Sequence, residues 1–160
     1  MNISAEATSV NPTAENPTSE SQALLVSSFE VCGALCAIEA SLVEEVVRSR
    51  GTTPVPHSPP YVLGIMNLRG KIVSVIDLGR KLELGASASG EDSRLYIVRD
   101  REELVGLLVD RTADVIEVDT AALEPPPANI GGPASKFFRV VARTGGKLIT
   151  ILDTAAALAV

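Results

Sequence analysis

The residues whose types could recognise a partner are concentrated in one short polar segment, residues 67–69. There Asn67 supplies an amide and Arg69 a guanidinium, and Gly64 and Gly70 bracket the segment. A guanidinium presents its N–H donors in a fixed planar arrangement that matches a carboxylate or a backbone carbonyl. A hydrophobic core has no need of these groups, so we predict that the segment is presented to a partner.

The remaining reactive side chains do not have the spacing of a catalytic or metal-binding group. Cys32 and Cys36 lie close together, but no second Cys or His pair completes a zinc site, and the single histidine, His57, has no partner at a recognisable spacing. We expect both cysteines to act as small buried apolar side chains, with a redox or zinc role as the second interpretation. No glycine-rich phosphate loop precedes a helix. The sequence therefore predicts a protein that is not an enzyme and has no metal or cofactor.

Composition narrows the class of partner. The 160 residues are 46% apolar but only 3% aromatic, which predicts a core of aliphatic side chains large enough for one domain or two small lobes. The formal net charge is −6 without a long Lys/Arg cluster, so nucleic acid is not expected as a partner. No apolar run is long enough to span a bilayer, and no basic region precedes an apolar one at the N-terminus. We expect a soluble, cytoplasmic chain without direct membrane insertion.

The elements that must position residues 67–69 are short strands. Residues 72–76 form an apolar, β-branched run typical of a buried strand, and about ten such runs, separated by turn residues, follow residue 22. Residues 1–22 contain no Lys or Arg and are rich in Ser, Thr, Asn, Pro and Glu, which predicts a disordered acidic tail. Proline-rich connections at 54–60 and 123–133 exclude helices there. An all-β fold is predicted.

Two shorter features complete this pattern. Residues 85–90 read GASASG and are predicted to form a flexible loop. Residues 153–158 are predicted to form a short terminal helix with Asp153 as its N-cap.

The second half of the chain repeats the first. Residues 70–77 (GKIVSVID) align with residues 146–153 (GKLITILD), and upstream positions align at a second constant offset. We interpret this as two similar small β-barrels packed around a shared aliphatic core. Matching positions then serve the fold, whereas residues 67–69 align with the dissimilar residues 143–145. The polar segment is specific to the first half.

The boundaries that this interpretation predicts are a tail at 1–22 and one folded domain at 23–160. Within that domain the first barrel spans mainly 24–84 and the second mainly 93–152, followed by the terminal helix at 153–159.

At this point the chain resembles the CheW family of chemotaxis coupling proteins. Residues 64–78 (GIMNLRGKIVSVIDL) are similar to the family signature Gly-Val-x-Asn-Leu-Arg-Gly, an apolar strand, Pro-Val, an apolar residue and Asp-Leu. The resemblance extends from about residue 24 to residue 158. It departs from the family pattern at Ser74, where proline is usual.

The resemblance implies two five-stranded, SH3-like barrels around a common core and a non-catalytic adaptor. Its implied partners are the cytoplasmic signalling tip of a chemoreceptor and the regulatory domain of a CheA-type histidine kinase. The positions that match coupling positions of the family, together with the neighbouring loop residues, give the predicted partner-binding set: Val43, Glu45, Gly64, Asn67, Leu68, Arg69 and Gly106.

Several of these residues have a structural alternative. Arg69 could hydrogen-bond loop carbonyls, Asn67 could stabilise the turn, and Val43 could lie in the core. Glu44 and Glu45 could simply guard an exposed strand edge. The alternative function is a small ligand-responsive regulatory protein that holds a metabolite in the groove between the barrels.

Overall fold

A computed structural model describes residues 22–126 and 136–159. The tail predicted at 1–22 therefore lies outside the described residues except for Gln22, as does most of the second proline-rich connection. Among the helices that the structure describes, none is long and apolar enough to cross a membrane.

The described residues fold mainly into short strands, as predicted. The ten strands, two α-helices and two 3-10 turns follow the order β1 (Ala23–Val31), β2 (Ala34–Glu39), a 3-10 turn (Ala40–Leu42), β3 (Val43–Arg48), β4 (Val62–Leu68), β5 (Lys71–Asp77), α1 (Leu78–Lys81), β6 (Arg94–Asp100), β7 (Glu103–Val109), β8 (Arg111–Asp119), a 3-10 turn (Thr120–Ala122), β9 (Phe138–Thr144), β10 (Lys147–Leu152) and α2 (Thr154–Leu158).

These strands form two five-stranded sheets. Sheet A has the order β9-β10-β2-β1-β8, and sheet B has the order β4-β5-β7-β6-β3. In each sheet one parallel pair, β10 with β2 or β5 with β7, is flanked by antiparallel pairs. The two orders are equivalent when the two halves of the chain are superposed in sequence, so the repeat is present in the topology.

Each sheet nevertheless draws strands from both halves of the chain, and the predicted division into barrels at 24–84 and 93–152 is wrong. Sheet A combines β1 and β2 with β8, β9 and β10, whereas sheet B combines β6 and β7 with β3, β4 and β5. The three-residue turn Ala40–Leu42 leads the chain into sheet B, where β3 pairs with β6. The place beside β1 is taken by β8, the repeat counterpart of β3. Because β3 and β8 are repeat counterparts, each occupies the edge position that the other would have if each half of the chain formed its own sheet.

Neither sheet is a closed barrel, which corrects the predicted closure. Among the described residues, the backbone contact that reaches the far edge of each sheet is one isolated two-bond bridge from the connection after an edge strand: Thr53, after β3, with Ile65 of β4 in sheet B, and Glu124, after β8, with Val141 of β9 in sheet A. Each bridge has N···O distances between 2.8 and 3.0 Å. A gap between the two edges therefore remains in both sheets.

The predicted shared core is present between the sheets. Sheet A contributes Phe29 and Ile38, and sheet B contributes Ile76, Tyr96 and Leu107, to one buried cluster. The Phe29 and Tyr96 rings meet with centroids 4.9 Å apart, and the Tyr96 hydroxyl donates to the Ser28 carbonyl. Each sheet also has one smaller apolar cluster of its own. Burial of this aliphatic surface is the main stabilising contribution to the fold.

Asp77 and Asp153, at equivalent positions of the repeat, each cap the N-terminus of the short helix that follows a strand. The Asp153 carboxylate accepts from the Ala156 N–H in α2, which confirms the predicted cap, and Asp77 accepts in the same way from Arg80 in α1.

The loop at 85–90 is held in place, contrary to the prediction of a flexible loop. The Ser87 N–H donates to the Asp77 carboxylate at 3.0 Å, and the Ala88 N–H donates to the Asp110 carboxylate at 2.7 Å. Ser87 is buried. The loop's small residues carry no signal of this anchoring because its acceptors lie in distant parts of the sequence.

Candidate functional site

The polar segment singled out in the sequence forms the hairpin turn between β4 and β5. Arg69 and Gly70 are its two central residues and both have positive φ, +53° and +83°, as a tight hairpin turn of matching twist requires. The Asn67 side-chain oxygen accepts from the Gly70 N–H at 3.0 Å. Asn67 therefore stabilises the turn, and the turn holds Arg69 at its tip.

Arg69 forms an ion pair that spans the gap in sheet B. Its guanidinium donates to the Glu45 carboxylate at 2.5 Å, and Glu45 belongs to β3, the opposite edge strand. The Arg69 side chain is 72% exposed and that of Glu45 is 28% exposed. Exposed pairs of this kind contribute about 0–1 kcal/mol, so stability alone gives little reason for an arginine here.

A second ion pair lies beside the first. The Arg99 guanidinium of β6 donates to the Glu44 carboxylate at 3.1 Å. The residues of both ion pairs line one small cavity of about 100 Å³, and Lys71 lines it too. We call these five charged residues the Arg69 patch: Glu44, Glu45, Arg69, Lys71 and Arg99. The patch carries one more cation than carboxylates on a chain of net negative charge. It presents N–H donors that suit an acidic partner surface.

Three residues of the predicted set are not at the surface. Gly64, Leu68 and Gly106 are buried, and Leu68 is only 4% exposed. Gly64 has φ +141°, and a Cβ placed on it would lie 2.2 Å from the Thr53 carbonyl oxygen of the isolated bridge. Gly106 packs in the interior, where an added Cβ would lie 3.4 Å from the Ile97 and Val73 side chains. These residues can influence a partner only by positioning the strands around the patch.

Val43 occupies an intermediate position. It is half-buried, pairs with Val98 in the ladder between β3 and β6, and packs against the shared core. Both the core role and the surface role considered for it are thus partly satisfied.

Sequence reasoning missed two features of this surface. Arg99 joins the patch from a distant strand, which only the pairing of β3 with β6 reveals. Ile72 was expected inside a buried run, but it is 59% exposed and lies beside Lys71. Along β5, Ile72 and Ser74 face outward and alternate with buried Val73 and Val75. Because one of the outward-facing residues is an isoleucine, the sequence does not show this alternation.

The cysteines occupy different environments. Cys36 is buried, and burial raises the pKa of its thiol to about 12. Cys32 is partly exposed, and its pKa is raised by burial first and then by the Asp110 and Asp77 carboxylates. Raised thiol pKa values disfavour the thiolate that metal binding and nucleophilic chemistry require. Within residues 22–126 and 136–159, no group of three or more His, Cys, Asp or Glu side chains is arranged to hold a metal ion.

The sequence and the fold match a known class of protein. The family model described as "CheW-like domain" matches residues 25–160. The chain is 31% identical to the chemotaxis protein CheW of Bacillus subtilis over 130 residues, covering 81% of this chain and 83% of that protein. It is 31% identical to CheW of Thermotoga maritima over 128 residues, covering 80% and 83%.

A solved structure agrees. The crystal structure of the scaffolding protein TtCheW from Thermoanaerobacter tengcongensis is similar with a TM-score of 0.78 at 31% identity, covering 91% of this chain and 94% of that one. The chain belongs to the CheW-like domain family. It is a chemotaxis coupling adaptor.

Proposed function

We propose that this protein links the cytoplasmic signalling tip of a chemoreceptor to the regulatory domain of a CheA-type histidine kinase and catalyses no reaction itself. The observation that carries the proposal is the Arg69–Glu45 ion pair, which lies exposed across the open edge of sheet B. Family membership supplies the setting, and the ion pair supplies a surface with the chemistry of recognition.

The ion pair is well suited to exchange between partners. An exposed pair costs little to separate, so a carboxylate or carbonyl on a partner can take the place of Glu45 on the Arg69 guanidinium. The guanidinium can bind such a group through two parallel N–H donors. The adjacent edge strands β3 and β4 also carry backbone groups at the rim of the sheet, where an added segment can pair.

The buried members of the predicted set fit this proposal as positioning residues. Gly64 allows β4 to approach Thr53, and Leu68 fixes the base of the turn through the smaller core cluster of sheet B. Gly106 allows β7 to pack closely under β5 and β6. Substitution at these sites is expected to move the Arg69 patch and so weaken coupling indirectly.

Two finer expectations belong to the proposal. We expect the protein to act in the cytoplasm, associated with receptor arrays through its protein partners. We also expect each sheet, with its closing bridge, to behave as one SH3-like module of the domain.

Co-purification tests the proposal. The purified protein is mixed with a receptor cytoplasmic fragment and a CheA-type kinase, and the Arg69→Glu variant is compared with Arg143→Glu. Arg143 is a matched control because it forms an exposed ion pair with Glu124 in sheet A and is 66% exposed. We expect only Arg69→Glu to lower recovery of the ternary complex, while both variants stay folded by circular dichroism. Equal recovery with both variants would refute the assigned role of the patch.

A further inference from the structure

The gap in sheet A is a wide cavity, in contrast to the gap in sheet B. It has a volume of about 700 Å³ and lies between the edge strand β8 and the β9–β10 hairpin, with residues of β1 and β2 as its floor. Pockets for small ligands typically measure about 300–1,000 Å³. The cavity is lined by sheet A alone, so it is distinct from a groove between the sheets.

The two gaps are equivalent positions of the repeat. Each residue that lines the cavity of about 100 Å³ in sheet B has a sequence counterpart that lines the cavity of about 700 Å³ in sheet A. The pair that spans sheet B illustrates the correspondence, because Gly145 replaces Arg69 and Asp114 replaces Glu45. Gly145 has φ +56° and Arg69 has φ +53°, so the two hairpin turns also share a backbone conformation.

The difference in volume follows from side-chain size. Where sheet B has Arg69 and Glu44, sheet A has Gly145 and Ala113. A Cβ added at Gly145 would meet no atom within 4 Å. Sheet A therefore has a carboxylate, that of Asp114, where sheet B has Glu45, but it has no arginine at the position of Arg69 to fill the gap.

The charge of the lining differs in the same direction. Sheet A places Asp114 and Glu30 in the cavity wall with Lys147, whereas the wall in sheet B has more cations than carboxylates. The Glu30 carboxylate forms an ion pair with the Arg111 guanidinium at an N···O distance of 3.6 Å. Among the residues that the structure describes, Asp114 forms no ion pair, although its backbone is held by the Ser28 hydroxyl.

We propose that the sheet A cavity binds an arginine side chain carried by a short segment of a partner protein. The arginine would take the place that Arg69 occupies in sheet B, with its guanidinium on the Asp114 carboxylate and its flanking apolar residue against Leu35 and Ile116. A charge-assisted bond between guanidinium and carboxylate is the chemistry the same fold already uses at the equivalent site. The chain's own residues 1–22 contain no Lys or Arg, so they cannot supply this side chain.

Peptide titration tests the proposal independently of receptor or kinase. The probe is acetyl-Leu-Arg-Val-amide, and its matched control replaces arginine with citrulline, which keeps the shape but removes the charge. Binding to the ¹⁵N-labelled full chain is followed by NMR shifts of the Gly33 and Gly145 amides. We expect saturable shifts at both amides and about tenfold weaker binding of the citrulline peptide.

Variants of the cavity complete the test. Gly145→Arg should fill the cavity and abolish binding, whereas Gly145→Ala should keep it. Asp114→Asn should weaken the arginine peptide about tenfold, and the counterpart change Glu45→Gln should leave it unaffected. Equal binding of the two peptides, shifts confined to sheet B, absence of saturable binding, or unchanged binding to Asp114→Asn would overturn the proposal. Self-association that Gly145→Arg removes would assign the cavity to a second copy instead and would also overturn it.

Discussion

The Arg69 guanidinium contacts the Glu45 carboxylate across the gap between the two edge strands of sheet B. The residues are 24 positions apart in sequence: Arg69 lies in the turn that follows β4, Glu45 lies in β3, and these two edge strands do not pair with each other by a ladder. The contact therefore adds a side-chain link across a gap in which the backbone is bridged at Thr53 and Ile65 alone among the described residues. It leaves the guanidinium largely in solvent, where a partner can reach it.

The first prediction concerns the strength of this contact. In a double-mutant cycle with Arg69→Ala and Glu45→Ala, we expect a coupling free energy below about 1 kcal/mol, because solvent screens the exposed guanidinium. Urea unfolding of the four proteins measures it. A coupling of about 3 kcal/mol would identify the pair as a structural clamp and contradict its assignment as an exchangeable surface.

A second prediction concerns the backbone at Gly64. Gly64→Ala should destabilise the protein by about 2–4 kcal/mol, since its Cβ would collide with the Thr53 carbonyl oxygen at a strained φ. Gly70→Ala is the control, because it also has positive φ but meets no atom within 4 Å and should cost only about 1 kcal/mol. Thermal unfolding compares the two, and similar losses would show that the close approach to Thr53 is unimportant.

The repeated aspartates supply a third prediction. Asp77→Ala should cost about 2–4 kcal/mol, because it removes the α1 cap and also leaves the buried Ser87 N–H without its acceptor. Asp153→Ala removes only the α2 cap and should cost about 1 kcal/mol. Chemical denaturation of both variants measures the difference. If Asp153→Ala proves the more damaging, the anchoring of the loop at 85–90 contributes little.

The buried thiol gives a fourth prediction, on pH dependence. The pKa of Cys36 is about 12 in the folded chain, against an ordinary value of 9.0. Above pH 9 the unfolded chain releases this proton while the folded chain keeps it, so the free energy of unfolding should fall as pH rises toward 12. The contribution approaches about 1.4 kcal/mol per pH unit in that window.

Comparison with Cys36→Ala isolates the effect. The variant should be less stable at pH 7, because it leaves a small cavity, but its stability should fall less steeply between pH 9 and pH 10.5. Identical slopes would show that the Cys36 thiol does not contribute in this range. In the native wild type at pH 8, a thiol reagent should modify Cys32 first, because only Cys32 is partly exposed.

The sequence specified the local structure of this chain well. Strand positions, the repeat and the Asp153 cap follow from β-branched runs, turn residues and a recurring eight-residue pattern, all of which are local signals. The polar turn at Asn67 was located in the same way. Each of these features is decided by residues close together in the chain.

Strand partners and ion pairs could not be predicted in this way. When β3 and β8 are repeat counterparts, sequence pattern does not decide which of them pairs with β1 and which with β6. The Arg69–Glu45 and Arg99–Glu44 contacts depend on that choice. The open cavity beside Gly145 could not be predicted from the sequence either. It exists because sheet A has smaller side chains than sheet B at the equivalent positions.

Reconstituted kinase activity tests the central claim most directly. A receptor signalling fragment and a CheA-type kinase are assembled with wild-type protein, Arg69→Glu or Arg143→Glu, and autophosphorylation of the kinase is measured at saturating concentrations. We predict that receptor control of the kinase requires the wild-type protein, is lost or greatly reduced with Arg69→Glu, and is retained with Arg143→Glu. Full receptor control without the protein, or with Arg69→Glu at the wild-type level, would contradict this account.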